Sequence, residues 1–304
     1  MAGHDAIGDR MLWAVFTLIA AAAQTARNAM QRELTATLGT VGATHVRFLF
    51  GFPFALIFLA GVAFATVRPL PHPSLEYWPW IVAGAMTQIA ATALMLAAMN
   101  ERSFVVAYAY IKTEPVQVAL FGLVFLGDRL TPLAAVAIVI GTLGVVVMSL
   151  KPGASRVATL RSTVVGLVSG TCFALSAIAY RGAILALHHP DFVLPATFTL
   201  ATGLVMQAVL LSAYLWLRDP KVLHEIARAW KPSLFAGFMG AFASEFWFLG
   251  FAITSAANVR TLALVEVLFA QGVTRFIFKQ PTTGRELVGI VLVVVGVALL
   301  VWAY

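Results

Sequence analysis

The sequence predicts an all-α integral membrane protein of ten transmembrane helices, arranged as two inverted five-helix repeats. Three observations lead there. Apolar residues make up 61% of the 304 and charged residues only 11%, with a mean hydropathy of +0.92, far from the balance of a soluble domain. The apolar residues gather into runs of about 20 residues, the length a helix needs to cross a hydrocarbon core. Sliding the second half against the first by 152 positions places Glu114 on Glu266, Ala137 on Gly289 and Gly144 on Gly296.

The runs fall at residues 11–31, 41–66, 78–99, 103–126, 132–150, 163–187, 192–217, 232–254, 256–278 and 284–303. In the first, Ala20 to Ala23 followed by Gln24 resembles a signal-peptidase site. The leader before it carries Asp5 and Asp9 against one arginine, a poor targeting segment, so the helix is expected to stay. The connections are too short for a soluble domain. Trp13, Tyr77, Trp78, Trp80, Trp216, Trp230, Trp302 and Tyr304 gather near run ends, as an interfacial aromatic belt does.

The 152-residue register aligns a run with a central glutamate, a polar turn (Gly127 to Thr131 against Lys279 to Thr283) and a glycine-spaced last run. Five spans are an odd number, so the halves, residues 1–155 and 156–304, point in opposite directions. A substrate site is then expected near the midplane between them. Near the span ends Arg10, Arg68 and Arg129 lie on one face. The other face holds Arg32, Arg102, Lys151, Arg156, Arg161, Arg218, Lys221, Arg228, Lys231, Lys279 and Arg285. That bias makes the second face cytoplasmic and puts both termini outside the cytoplasm of a bacterial-type inner membrane.

The net charge of +7 is spread over these short connections, which suits lipid headgroups and not nucleic acid. A single cysteine, Cys172, excludes an internal disulfide, and the scattered histidines have no metal-ligand spacing. No metal and no cofactor are expected. The expected partners are a small-molecule substrate and the bilayer, with the chain acting as a monomer.

Candidate site residues are polar groups at membrane depth, where a charge costs about 2.5–3.5 kcal/mol and usually faces a bundle interior or a wet cavity. The richest stretch is Tyr108 to Pro115, with Tyr108, Tyr110, Lys112 and Glu114. On a continuous helix Tyr108, Lys112 and Pro115 share one face and Tyr110, Glu114 and Gln117 nearly the opposite one, so Lys112 and Glu114 need separate partners. The expectation is Lys112 in the cavity and Glu114 in helix packing. Pro115 removes a backbone hydrogen bond and bends the helix, whereas Val267 stands opposite it in the second half, so the two segments need not bend alike.

The remaining candidates come from other runs. Gln24, Arg27, Asn28 and Gln31 form a polar face in the first, and Gln88, Thr92, Met95 and Met99 a mixed stripe in the third. The stripe Ser169, Cys172, Ser176 and Tyr180 in the sixth reads as close packing, and His45 as an interfacial histidine. Glu245 and Glu266 lie at midplane depth. Membrane cations, Arg27, Arg47, Lys112, Arg181, Arg260 and Arg275, outnumber the acids Glu114, Glu245 and Glu266, even with Arg181 and Arg275 snorkelling to headgroups. That balance suits a substrate carboxylate better than a cationic drug.

Glu114, Pro115 and Val116, followed by Leu126, Gly127, Asp128, Arg129, Leu130 and Thr131, resemble the fourth-helix proline and following turn of the drug/metabolite transporter superfamily, in its ten-helix branch with two EamA-type repeats. Aspartate replaces the usual glutamate in the turn, and Arg47 with Phe48 matches an arginine that often opens the second helix. The resemblance covers the whole chain and implies a transporter, with amino-acid exporters of the YddG type among its relatives. It also implies cytoplasmic termini, against the charge bias.

The expected function is export of small amino acids or related metabolites by alternating access. Lys112 or Arg27 would hold a carboxylate; Tyr108, Tyr110, Gln24, Gln88 and Met95 would shape the cavity; Glu114, Glu245 or Glu266 would take a coupled proton or lock helices. The alternatives are export of drugs, nucleosides or sugars by the same fold, and an enzyme acting on lipid-linked substrates. An enzyme needs an acid and histidine cluster at one interface, and Asp128, Asp191, His188 and His189 do not make one.

Overall fold

The computed structural model describes residues 5–99, 110–149, 156–276 and 283–303, and Tyr108 therefore lies outside the described residues. These residues are helical with short connections. The helices are α1 (Asp5–Leu49), α2 (Phe52–Thr66), α3 (Tyr77–Met99), α4 (Glu114–Phe121), α5 (Pro132–Ser149), α6 (Arg156–Ala186) and α7 (Val193–Arg218). They continue with α8 (Pro220–Arg228), α9 (Trp230–Ile253), α10 (Ala256–Leu262), α11 (Val265–Phe276) and α12 (Gly284–Ala303), and a wide π-turn, Gly122–Leu126, extends α4. Among the described residues six stretches are long and apolar enough to cross a membrane: Glu33–Thr66, Tyr77–Ala98, Thr163–Ala186, Val193–Arg218, Trp230–Ile253 and Gly284–Ala303. The segments Glu114–Leu126 and Pro132–Met148 are shorter and equally apolar. The run at 11–31 is helical too, and its polar face turns inward, with Arg27 and Gln31 buried.

Local chemistry sets the breaks. Gly39, at φ 66, lets α1 reverse where an L side chain would be strained, and Gln31 bridges that kink by donating to the Ala43 carbonyl at 3.1 Å. Pro53 has no N–H for the Leu49 carbonyl, which interrupts the second apolar run at Phe50 and Gly51. Thr131 caps α5 by accepting from the Ala134 amide at 3.1 Å. Its 152-register equivalent, Thr283, forms a reciprocal capping box with Glu286: their amides donate to the opposite side chains at 2.7 and 3.3 Å. The connection after Arg218 is the amphipathic helix α8, which Pro220 opens and whose Ile226 is buried against the bundle.

Packing follows the internal register. The closest helix partnerships are α1 with α9, α3 with α6, α5 with α12 and α2 with α7. Exchanging the halves turns the α1–α9 pair into α6–α3 and leaves α5–α12 as itself. At that last crossing a Cβ on Gly144 would lie 2.8 Å from the Gly289 carbonyl, and one on Gly296 2.9 Å from the Ala137 carbonyl. These two contacts are images of each other under the register. Because residue numbers rise along α5 as they fall along α12, the equivalent helices run antiparallel. Small residues allow the backbones to touch, the main source of helix attraction where the solvent is lipid.

Gly289→Leu should therefore break this crossing. A Cβ there would already stand 2.6 Å from the Gly144 carbonyl, so the larger side chain is expected to cost about 1–3 kcal/mol or more. The check is a lowered melting temperature of detergent-purified protein, with Gly284→Leu, which has open space, as the unchanged control.

Candidate functional site

The core of the site is a break repeated in both halves. Because Pro115 has no amide hydrogen, the chain leaves the helical path at Lys112 and Thr113, where amides bond three residues back: Thr113 to the Tyr110 carbonyl at 3.1 Å and Val116 to the Thr113 carbonyl at 3.2 Å. The second half breaks at the matching place without a proline. Ala263 and Leu264 separate α10 from α11, and Glu266 and Val267 bond back to Ala263 and Leu264 at 3.0 and 3.1 Å. The expectation that the two segments need not bend alike gives way to a shared interruption, each followed at once by a first-turn glutamate. Gly170 of α6 makes room for the broken strand of backbone, since a Cβ there would be 3.1 Å from the Ile111 carbonyl.

Two buried ion pairs cross between the halves at these breaks. Lys112 Nζ lies 3.0 Å from Glu266 Oε2, and Arg260 Nε lies 3.1 Å from Glu114 Oε1. Gln24 Nε2 donates to the second oxygen of Glu266 at 3.0 Å, and its own carbonyl accepts from Trp247 Nε1 at 3.0 Å. The Arg260 guanidinium is flanked by the rings of Trp247 and Phe251, 5.0 and 5.6 Å from their centroids. A cavity of about 20 Å³ remains among Gln24, Arg27, Met95, Lys112, Glu114, Arg260 and Glu266, close to the volume of a single water. This is a closed arrangement. A wider open pocket of about 350 Å³, with Arg129, Arg181 and Asn258 in its wall, lies toward the Gly127–Thr131 turn. Asn258 and Arg260 flank Val259 on α10, so that helix serves both spaces.

The structure brings together Gln24, Arg27, Met95, Lys112, Glu114 and Glu266. The sequence assigned Lys112 to the cavity and Glu114 to packing, and the structure does not separate the two in that way. Both line the same cavity, because the break between them removes the continuous helix on which opposite faces were counted. Three other candidates stand elsewhere. Gln88 Oε1 accepts from Tyr180 and Gln207 at 3.0 and 2.9 Å in a buried cluster of its own. Tyr110 contributes its carbonyl to the Thr113 hydroxyl at 2.6 Å and does not line the cavity. Glu245 accepts from the Thr197 hydroxyl between α9 and α7. Arg181 does not snorkel: it donates to the carbonyls of Phe251 and Thr254 and meets Asp128 at 3.3 Å. His45 is buried against Ser212 at 3.0 Å.

Sequence reasoning counted Arg260 as a membrane cation without giving it a role, and passed over Trp247. Arg260 had a usable signal, a charge six residues before the register mate of Glu114. Trp247 had none, since a tryptophan in an apolar span resembles every other core aromatic.

The sequence profile of the EamA-like transporter family matches residues 11–150 and 160–302, one repeat in each half. No curated protein matches the chain significantly. A crystal structure of another protein aligns over 96% of this chain and 97% of its own, with a TM-score of 0.70 and 16% identity, a likeness of fold alone.

Removing Lys112 alone strands a buried carboxylate, which typically costs about 3–5 kcal/mol. Lys112→Ala is expected to lower the melting temperature of the purified protein sharply. The double variant Lys112→Ala with Glu266→Gln should recover most of the loss, and a cycle showing simple additivity would contradict the pairing.

Proposed function

Because the chain belongs to the EamA-like transporter family, we propose that it is a secondary transporter that exports small amino acids or related metabolites by alternating access. Its moving parts are two inverted repeats of five membrane spans each, residues 1–155 and 156–304, in a bacterial-type inner membrane. The single observation that carries this reading is the crossed pair of ion pairs. Lys112 with Glu266, and Glu114 with Arg260, join the two halves across one nearly filled cavity at the helix breaks. Opening on either side requires the halves to part, and buried ion pairs lost in that step must be replaced by water or substrate. A substrate that offers its own charge lowers that cost. Broken helices supply backbone polar groups at the same depth, the arrangement expected around a transported solute.

Export of cationic drugs is the less favoured reading, since cations outnumber carboxylates in the cavity wall. The basic residues Arg218, Lys221, Arg228 and Lys231, on α8 and its neighbours, support a reading of that face as cytoplasmic, with both termini on the opposite side. Lys112, Arg27 and Gln24 would meet the substrate together with Met95, while Glu114 and Glu266 hold the halves shut until it arrives. Tyr108 and Tyr110 would shape the approach to it. Gln88 would keep the supporting helices in place, and Glu245, paired with a hydroxyl and with no cation among the described residues, is the carboxylate best suited to carry a coupled proton.

The test is uptake of a radiolabelled metabolite panel into liposomes bearing the purified protein. Transport of amino acids or similar carboxylates is expected, reduced about tenfold or more by Lys112→Ala and by Glu114→Gln if each breaks an interaction worth over about 1.4 kcal/mol in the transport cycle. Unchanged flux in both variants would reject the site while leaving the transporter class. Flux indifferent to an imposed pH gradient would identify facilitated diffusion.

A further inference from the structure

We propose that Arg27 and Arg47 form an anion subsite at the edge of the central cavity, whose ligand is the carboxylate of a small organic anion, with no need for an ammonium group on the same molecule. This subsite rests on the transporter reading above and names what the transported molecule must carry.

Both arginines are almost fully enclosed, at 1% and 2% exposure. They come from opposite sides of the Gly39 kink and meet on α9 at Gly240, where a Cβ would lie 3.4 Å from Arg27 Cδ and 3.2 Å from Arg47 Cγ. Two guanidinium stems thus share one notch that only a residue without a side chain leaves open. Arg27 Nη2 donates to Asn28 Oδ1 at 2.7 Å, and Arg47 donates to the hydroxyls of Thr92 and Ser244 at 3.1 and 3.4 Å. These acceptors are neutral. Among the described residues Arg27 Nε and Nη1 and Arg47 Nε are buried without a hydrogen-bond acceptor.

The nearby carboxylates are already engaged. Glu266 is held by Lys112 and Gln24, and Glu114 by Arg260. The cations beside Arg47 are Arg27 and Arg260, and the carboxylate that Arg27 does feel, Glu266, is the one that Lys112 and Gln24 already hold. Among the described residues the cavity wall sets Arg27, Lys112 and Arg260 against Glu114 and Glu266, and Arg47 behind it adds to the surplus. Adjacent buried cations repel and keep donors unsatisfied, an arrangement that an oxyanion relieves. The planar guanidinium fork matches a carboxylate through two parallel hydrogen bonds. An amino acid also fits, through its carboxylate alone, because neither wall glutamate is left over for its ammonium.

The experiment compares four probes of one carbon skeleton, propionate, alanine, propionamide and alaninamide, on the purified full chain at matched ionic strength, read by thermal unfolding. Propionate and alanine should stabilise it alike, and the two amides should not. In Arg27→Gln the apparent propionate affinity should fall about thirtyfold or more, the loss typical of truncating one partner of a buried charge pair, and Arg27→Lys should keep part of it. Without ligand, Arg27→Gln should lower the melting temperature less than Lys112→Ala does, since Glu266 keeps Lys112 and Gln24 as partners. A response to alaninamide equal to that of propionate, stabilisation by alanine alone, or propionate affinity unchanged in both Arg27→Gln and Arg47→Gln would each overturn the subsite. In liposomes, carboxylate flux with unaltered KM in both variants would overturn the subsite and keep the transporter. Arginine-dependent propionate binding with no flux of any probe would do the reverse.

Discussion

Everything around the central cavity depends on one electrostatic constraint: a charge buried away from water must find a partner, and here the partners lie on opposite halves of the chain. Lys112 finds Glu266 and Glu114 finds Arg260, at 3.0 and 3.1 Å. Each pair spans more than a hundred positions of sequence, so the pairs exist only when the two halves are docked. They are poor sources of net stability, because desolvation consumes most of the Coulomb gain. What they provide is a defined closed state, since any arrangement that separates the halves leaves charges stranded unless water or a solute replaces the lost partner.

The backbone is shaped to permit this. In both halves a helix is interrupted immediately before a glutamate, once by Pro115 and once, with no proline, by the turn through Ala263 and Leu264. The glutamates become first-turn residues, where exposed amides and the helix dipole favour a negative group. Farther out, glycines do the opposite work of holding helices together. At the α5–α12 crossing, Gly144 against Gly289 and Gly296 against Ala137 bring backbones into contact. The result is a close-packed seam at one edge and a charged, interrupted region at the centre, an arrangement that suits the proposed alternating access.

Polar groups outside the cavity fall into support roles. Gln88, Tyr180 and Gln207 satisfy one another in a buried cluster linking α3, α6 and α7. Arg181 ties α6 to the carbonyls that end α9 and to Asp128 after the π-turn. Such networks hold helices in register in a solvent that offers no hydrogen bonds. The Arg27 and Arg47 pair differs, because among the described residues its hydrogen bonds go to neutral acceptors and to no carboxylate.

Much of this was legible in the chain itself. Hydropathy alone determines the class, because no soluble fold tolerates so many apolar residues, and the 152-residue register identifies the repeat, the matched glutamates and the glycine seam before any coordinates. Charges at membrane depth single out Lys112, Glu114, Glu266 and Arg27, since burying them without purpose is costly. Tertiary structure decided which of these meet. A helical wheel cannot pass through a break, so the faces assigned to Lys112 and Glu114 were lost at Thr113, and both turned to one cavity. Nor does spacing along one helix report what stands across from it. The partners of Gln88, Glu245 and Arg181, and the notch at Gly240 that sets Arg27 beside Arg47, arise from contacts between distant segments, and only the folded chain specifies them.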